Sequence, residues 1–249
     1  IFLWDRDNPG DCEVTTHLNG VSAEPVRRKL LEDGADVFIR FNDGLSILKK
    51  VVQMETGQDT HLSIPQEKRF DALVSSRKPF GLSTTFKGRG RKSQEDDLKI
   101  YQNGGSGFVK RSEVSSGKQY IDKWKIYTGR AAPGTGNKDT YPHRIISTPF
   151  LGEPESISSE TYLAIGPFDT KEEANSALSY LSCKLTRLLI LLHKPSQDTT
   201  RKVYTFVPTQ NWDKVWTDEE LYDKYGLDDE EIAFIESMVR PLEGDLIDA

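Results

Sequence analysis

Asp71 and the run Asp97-Leu98-Lys99 come nearest, by residue type, to a catalytic set, because two carboxylates and a lysine around a divalent cation would hydrolyse a phosphodiester. An acid-x-Lys run is common in a chain of which 29% is charged, so the trio by itself says little. Other chemistries lack their spacing. The histidines at 17, 61, 143 and 193 are scattered, and Cys12 and Cys183 stand far apart with no Cys-x-x-Cys. That leaves neither a zinc site nor a dithiol couple, and suits two free thiols in a reducing cytoplasm. Gly129 and Gly134 have the separation found in a phosphate-binding loop, but Thr135 occupies the place of its lysine. Gly104-Gly105-Ser106-Gly107 departs from the dinucleotide fingerprint, and both stretches read as turns. The expectation is no catalytic residue, no metal and no cofactor within these 249 residues.

Charge points to a partner instead. The net charge is −6, yet from Asp213 onward there are thirteen acidic and three basic residues, so residues 1–212 carry 30 basic and 26 acidic, a net of +4. Within that part, Arg77 to Arg130 holds thirteen Lys and Arg against five Asp and Glu. Such a footprint attracts phosphate backbones, and loops bearing Arg, Lys, Asn, Gln and Ser supply the groups that read base edges. Arg89, Arg91 and Lys92, set among Gly88, Gly90 and Ser93, are the first candidates for contact with double-stranded DNA, with Arg77, Lys78 and Lys87 beside them. Asn103, Ser106, Lys110 and Arg111 form a second candidate loop; Arg130, Lys138 and Arg144, with His143, flank the Gly-rich stretch as a third. The alternative is a solvated, loop-rich surface without a ligand. Tyr101, Trp124, Tyr127 and Tyr162 fall in short strands and are read as core before stacking platforms.

The elements that must position these residues are α+β in character. Phe2-Leu3-Trp4, the turn-formers Asp5 to Asp11 and the alternating Cys12, Val14 and Thr16 read as a hairpin; a strand at the very first residues suggests a chain cut from a longer one. Val26 to Glu32 reads as a short helix after Pro25, Asp36 to Phe41 as a strand, and Leu45, Leu48, Val51 and Val52 as one face of a helix. Strands are expected at Leu98 to Tyr101, Gly107 to Lys110, Trp124 to Tyr127, Tyr162 to Ile165 and Val203 to Val207. Thr170 and Glu173 form a capping box opening one long amphipathic helix to Lys194. Thr217 and Glu220 repeat the pattern before Leu221 to Tyr225, and Asp228 caps Glu230 to Val239. The longest apolar segment, Leu188 to Leu192, is too short to span a bilayer, and no membrane partner is expected.

Several phrases resemble one family. Phe2-Leu3-Trp4-Asp5-Arg6-Asp7 with Gly10-Asp11-Cys12-Glu13-Val14 is similar to the hairpin that follows the catalytic tetrapeptide in TaqI-like (gamma-class), amino-methylating adenine DNA methyltransferases of type II restriction-modification systems. The likeness continues through Arg77-Lys78-Pro79-Phe80-Gly81-Leu82, Phe86-Lys87-Gly88, Glu160-Thr161-Tyr162-Leu163 with Gly166-Pro167-Phe168, and Val203-Tyr204-Thr205-Phe206-Val207-Pro208. It ends with Trp216-Thr217-Asp218-Glu219-Glu220-Leu221-Tyr222 and Lys224-Tyr225-Gly226-Leu227. The resemblance implies that residues 1–57 are the tail of an α/β methyltransferase domain and connector, 58–212 a DNA target-recognition domain and 213–249 an acidic helical segment facing away from DNA. It further implies a catalytic half, not contained here, that binds S-adenosylmethionine and methylates adenine. Asn/Asp-Pro-Pro-aromatic, which would hold the amine of the flipped base, is absent: Thr148-Pro149-Phe150 and Gly166-Pro167-Phe168 each lack the second proline. This chain is accordingly expected to recognise rather than catalyse. A restriction endonuclease and a structural or subunit-binding domain of such a system are the other readings.

Overall fold

The computed structural model describes residues 5–7, 9–18, 20–132 and 142–242. The expected strand Phe2-Leu3-Trp4 and the Gly134-Thr135 turn lie outside the described residues.

The fold is α+β. At the N-terminal side are two small antiparallel ribbons built from β1 (Cys12–Val14), β2 (His17–Leu18), β3 (Val21–Ser22) and β4 (Val26–Arg28); β1 pairs with β4 and β2 with β3. The helix expected over 26–32 is therefore a strand at its start. Arg28 explains the change: its buried guanidinium donates to Asn42 Oδ1 at 2.9 Å and to the Ile39 carbonyl at 2.5 Å, bonds that an extended backbone brings within reach. Asp36 to Phe41 forms no strand. Arg40 anchors it by donating to the carbonyls of Lys194 (3.1 Å) and Leu191 (3.5 Å), and Ile39 and Phe41 are buried, so side chains do what a sheet ladder would have done. Helix α1 (Asn42–Thr56) buries Leu45, Leu48, Val51 and Val52 on one face as expected and ends where Gly57 turns left-handed.

Seven elements follow: β5 (Leu98–Gln102), β6 (Gly105–Val109), the short α2 (Lys118–Ile121), β7 (Trp124–Gly129), β8 (Phe150–Gly152), β9 (Ser156–Ser158) and β10 (Tyr162–Phe168). They make two three-stranded sheets. One is antiparallel, in the order β10-β7-β8; the other, β6-β5-β9, joins β5 and β6 antiparallel and β5 and β9 parallel.

The remaining elements are helical: α3 (Lys171–Ser182), α4 (Lys184–His193), α5 (Asp218–Tyr225) and α6 (Asp229–Met238). The single long helix expected over 170–194 is two, because Cys183 is extended (φ −60°, ψ 144°). Both ends at the break are satisfied by side chains: Arg187 Nε, from the first turns of α4, donates to the Ser182 carbonyl at 3.1 Å, and the distant Asp218 Oδ1 accepts from the Leu185 amide at 3.2 Å. The strand expected over 203–207 is instead a 3-10 turn, Arg201–Tyr204, running into Phe206 and Val207. Val203, Tyr204, Phe206 and Val207 are all buried, and an apolar run covered on every side does not require the alternation of a strand.

The sheet β10-β7-β8 is a wall between two hydrophobic cores. Because successive side chains of a strand face opposite ways, Leu163 and Ile165 of β10 enter the larger, helical core while Ala164 between them enters the smaller one, and Ile126 and Tyr127 of β7 divide likewise. The larger core joins α1, α3, α4, α5 and α6 and takes in Val52 and Ile64 from either side of the polar stretch 55–63, and Leu62 from within it. The smaller lies against β6-β5-β9, with Phe80, Leu82, Leu98, Ile100, Val109 and Ile157. Among the described residues no helix is long and apolar enough to cross a membrane.

Candidate nucleic-acid interface

The β5–β6 hairpin gathers most of the residues singled out as DNA contacts. Its turn is Asn103-Gly104, and Ser106 lies on β6 opposite Tyr101. The segment before β5 folds back on this hairpin: Arg89 and Phe108 exchange both backbone hydrogen bonds at 2.8 Å, the Gly88 amide donates to Gln102 Oε1 at 2.7 Å, and the Lys87 ammonium donates to the Asn103 carbonyl. Close approach requires glycine here. A Cβ on Gly88 would meet Ile100 Cγ2 at 2.6 Å, and one on Gly107 would meet the Gly88 backbone at 3.0 Å.

Beyond Arg89 the chain turns through Gly90, Arg91 and Lys92 and is caught again at Ser93. Asp97 Oδ2 accepts from the Ser93 amide (2.7 Å), the Ser93 hydroxyl (2.8 Å) and the Gln94 amide (3.1 Å), and Arg89 Nη2 stands 3.0 Å away. Burial pushes the Asp97 carboxyl up, but the bonds from Ser93 and Gln94 and the charge of Arg89 outweigh it and hold the group down at about 2. Arg89, first among the expected contacts, thus turns its guanidinium inward, toward Asp97 and, at 3.9 Å, Glu113.

Folding redistributes the charge that a linear count assigns to residues 77–130. Five carboxylates from beyond residue 130 come down on its cations: Glu160 on Arg77 (2.6 Å) and Lys78 (3.7 Å), Glu153 on Lys99 (2.8 Å), Glu155 on Arg111 (3.7 Å), Asp169 on Lys123 (2.5 Å) and Asp198 on Arg130 (3.9 Å). Arg111 is also held by Asp122 through two bonds of 2.8 and 2.9 Å. Burial pushes Glu160 up, yet the Arg77 bond and the charges of Lys78, Arg77 and Arg130 hold it below the usual carboxylate range. Lys125 is buried outright and donates to the carbonyls of Tyr120, Ile121 and Lys123 at 2.8, 3.0 and 2.8 Å; burial lowers it to about 7.

Arg91, Lys92 and Lys110, and Lys118 at the start of α2, are left exposed and without an ion pair among the described residues. Lys87, Asn103 and Ser106 are exposed beside them. Glu95 and Asp96 are exposed carboxylates of the same loop and equal Arg91 and Lys92 in number; Lys87, Lys110 and Lys118 on the neighbouring segments give the cations their excess. Of the third candidate group, Arg130 sits with Arg77 and Lys78 around Glu160, Arg144 is half-buried with its carbonyl accepting from Arg187 at 3.4 Å, and His143 is buried. Lys138 lies outside the described residues.

Asp71, Asp97 and Lys99 are each employed apart from the others: Asp71 pairs with Arg69 (3.0 Å) and Arg201 (3.7 Å), and Lys99 with Glu153. Among the described residues there is no group of three His, Cys, Asp or Glu placed to hold a metal ion. Tyr127 is fully buried, and Tyr101 and Tyr162 are half-buried in a ring cluster with it and Phe150. Asp97, Gln102 and Glu160 shape this surface, and sequence reasoning assigned none of them that part; the one local signal was a short polar residue, Ser93, four positions before a carboxylate at the foot of a strand. No protein-family model matches the chain, and no curated protein matches it.

Proposed function

We propose that this chain binds double-stranded DNA through the β5–β6 hairpin and the loop folded on it, as the target-recognition part of an adenine DNA methyltransferase of a restriction-modification system. The observation that carries the reading is the gathering of cations without an ion pair among the described residues, Arg91, Lys92 and Lys110, with the exposed polar groups of Asn103 and Ser106 on segments bonded to one hairpin. Arginine and lysine there meet phosphates and guanine edges, and asparagine and serine meet base edges or sugar-phosphate oxygens. The tethered cations around Glu160 form a second, weaker point of attraction. In this reading S-adenosylmethionine and the methyl transfer belong to a catalytic domain that these residues do not contain, and the cytoplasm is where the protein works.

Titration of a labelled duplex at several salt concentrations tests it. Changing Arg91, Lys92 and Lys110 together to Ala is expected to weaken binding and to lower the logarithmic salt slope by ~0.9 for each phosphate that is no longer neutralised. If one arginine grips a guanine edge, the cognate site loses a further ~1–3 kcal/mol that unrelated DNA does not. A triple variant that binds as the parent does, at low and moderate salt, would reduce this surface to a solvated loop.

A further inference from the structure

We infer that Asp97 is a positioning residue of this surface, one that meets no DNA itself but fixes the Gly90-Arg91-Lys92 turn in a shape in which both cations stand outward. The inference rests on the DNA-binding reading above. Three observations lead to it. The Asp97 side chain is wholly buried at the foot of β5, yet one of its oxygens accepts three hydrogen bonds from the loop that carries the cations. The loop is fixed at both ends, by the Arg89–Phe108 backbone pair before the turn and by Asp97 after it, so few residues remain free between the clamps. Arg89, whose charge would otherwise compete for phosphate, is turned in to face the same carboxylate at 3.0 Å.

The physical consequence is preorganisation. A loop already held in its bound form loses little conformational freedom on meeting a ligand, and that saving appears as affinity. Glu95 and Asp96, next to the clamp, are exposed and make none of these bonds. The three consecutive acidic residues therefore have different work: only Asp97 builds the loop.

The test compares Asp97→Asn with the Arg91→Ala/Lys92→Ala double variant in the full chain, each alone and combined, using a short random-sequence duplex as probe. Amide hydrogen exchange over residues 88–94, measured without DNA, is expected to speed up in Asp97→Asn. Affinity at low salt is expected to fall roughly tenfold, the loss expected of a charge-assisted hydrogen bond. In the Arg91→Ala/Lys92→Ala background the same Asp97→Asn change is expected to cost less than about twofold, because the cations it positions are gone. Equal cost in both backgrounds, or unchanged exchange in the loop, overturns the inference while leaving the DNA reading in place. Absence of duplex binding by the parent chain overturns the DNA reading, and the positioning role with it. Should Asp97→Asn fail to fold, Ser93→Ala removes one loop donor at a time and is expected to move exchange and affinity in the same direction by a smaller amount; no movement in either counts against the clamp.

Discussion

Arg187 in the helical half and Lys125 in the paired sheets are both buried basic side chains, and both donate to backbone carbonyls rather than to carboxylates. Arg187 donates to the carbonyls of Ser182, Arg144 and Arg240, tying the break between α3 and α4 to two other stretches of chain. Lys125 donates to three carbonyls within five residues of itself and closes the end of α2. The difference lies in reach. One cation joins segments distant in sequence and so belongs to the global fold; the other finishes a local turn beneath the hairpin layer. Acidic residues also differ in reach, but not half by half. In the helical half Glu173 and Glu220 complete capping boxes within one helical turn, while Glu231 does so and also meets Lys50 at 2.6 Å. Around the hairpin Glu153, Glu155 and Glu160 reach back to cations far earlier in the chain.

Substitutions put that difference to the test. Arg187→Ala strands carbonyls in the larger core and opens a cavity, and is expected to cost about 3–5 kcal/mol, read as a fall in the thermal midpoint by every probe together. Lys125→Met keeps the volume and leaves its carbonyls without a donor, for about 2–3 kcal/mol. Its effect should be confined: faster amide exchange over 98–129, with 171–193 little changed. If Lys125→Met unfolds both halves at once, the two cores are one cooperative unit and the distinction of reach has no energetic meaning.

How much of this was legible beforehand follows from the same distinction. Capping boxes at Thr170, Thr217 and Asp228 are local patterns, and each helix begins where its box places it. Strands β5, β6, β7 and β10 were readable from short runs of strand-forming residues set between turn-formers. Arg28 reaches Ile39 and Asn42, Asp218 reaches Leu185, and Arg187 reaches Arg144 and Arg240, all beyond a few residues, so the strand at 26–28 and the break at Cys183 carried no signal within any short window. The candidate surface shows the same limit. Arg91, Lys92 and Lys110 stand exposed as their Gly- and Ser-rich surroundings suggested, but the inward turn of Arg89 depends on Asp97, and the quieting of Arg77, Lys99 and Arg130 depends on Glu160, Glu153 and Asp198.

Two smaller effects sharpen the contrast further. Asp228→Ala removes the cap of α6, whose side chain accepts from the Glu231 amide at 3.0 Å, and is expected to cost about 1 kcal/mol in chemical unfolding without altering duplex affinity. A change in affinity would mean that the acidic helices take part in binding. The smallest effect concerns pH. Asp97 is held at about 2 in the folded chain against an ordinary value of 3.8, so the stability its clamp adds is fully present above the ordinary value and lost as pH falls through about 2. Amide exchange over 88–94, corrected for its intrinsic pH dependence, should therefore stay flat from neutral pH down to about 4 and loosen only below that. Loosening already near pH 5 would point to another carboxylate as the clamp.

The wall formed by β10, β7 and β8 has a consequence for how such a molecule can change over generations. Since its two faces answer to different cores, the hairpin layer on one side can exchange side chains while the helices on the other keep theirs. Most of the residues that meet solvent around Asn103 and Lys92 contribute nothing to the helical packing, and a new arginine or a missing lysine there leaves the larger core as it was. A lineage can therefore try new ligand preferences at little risk to its own folding, so long as Gly88, Gly107 and the buried carboxylate that shapes the turn are kept.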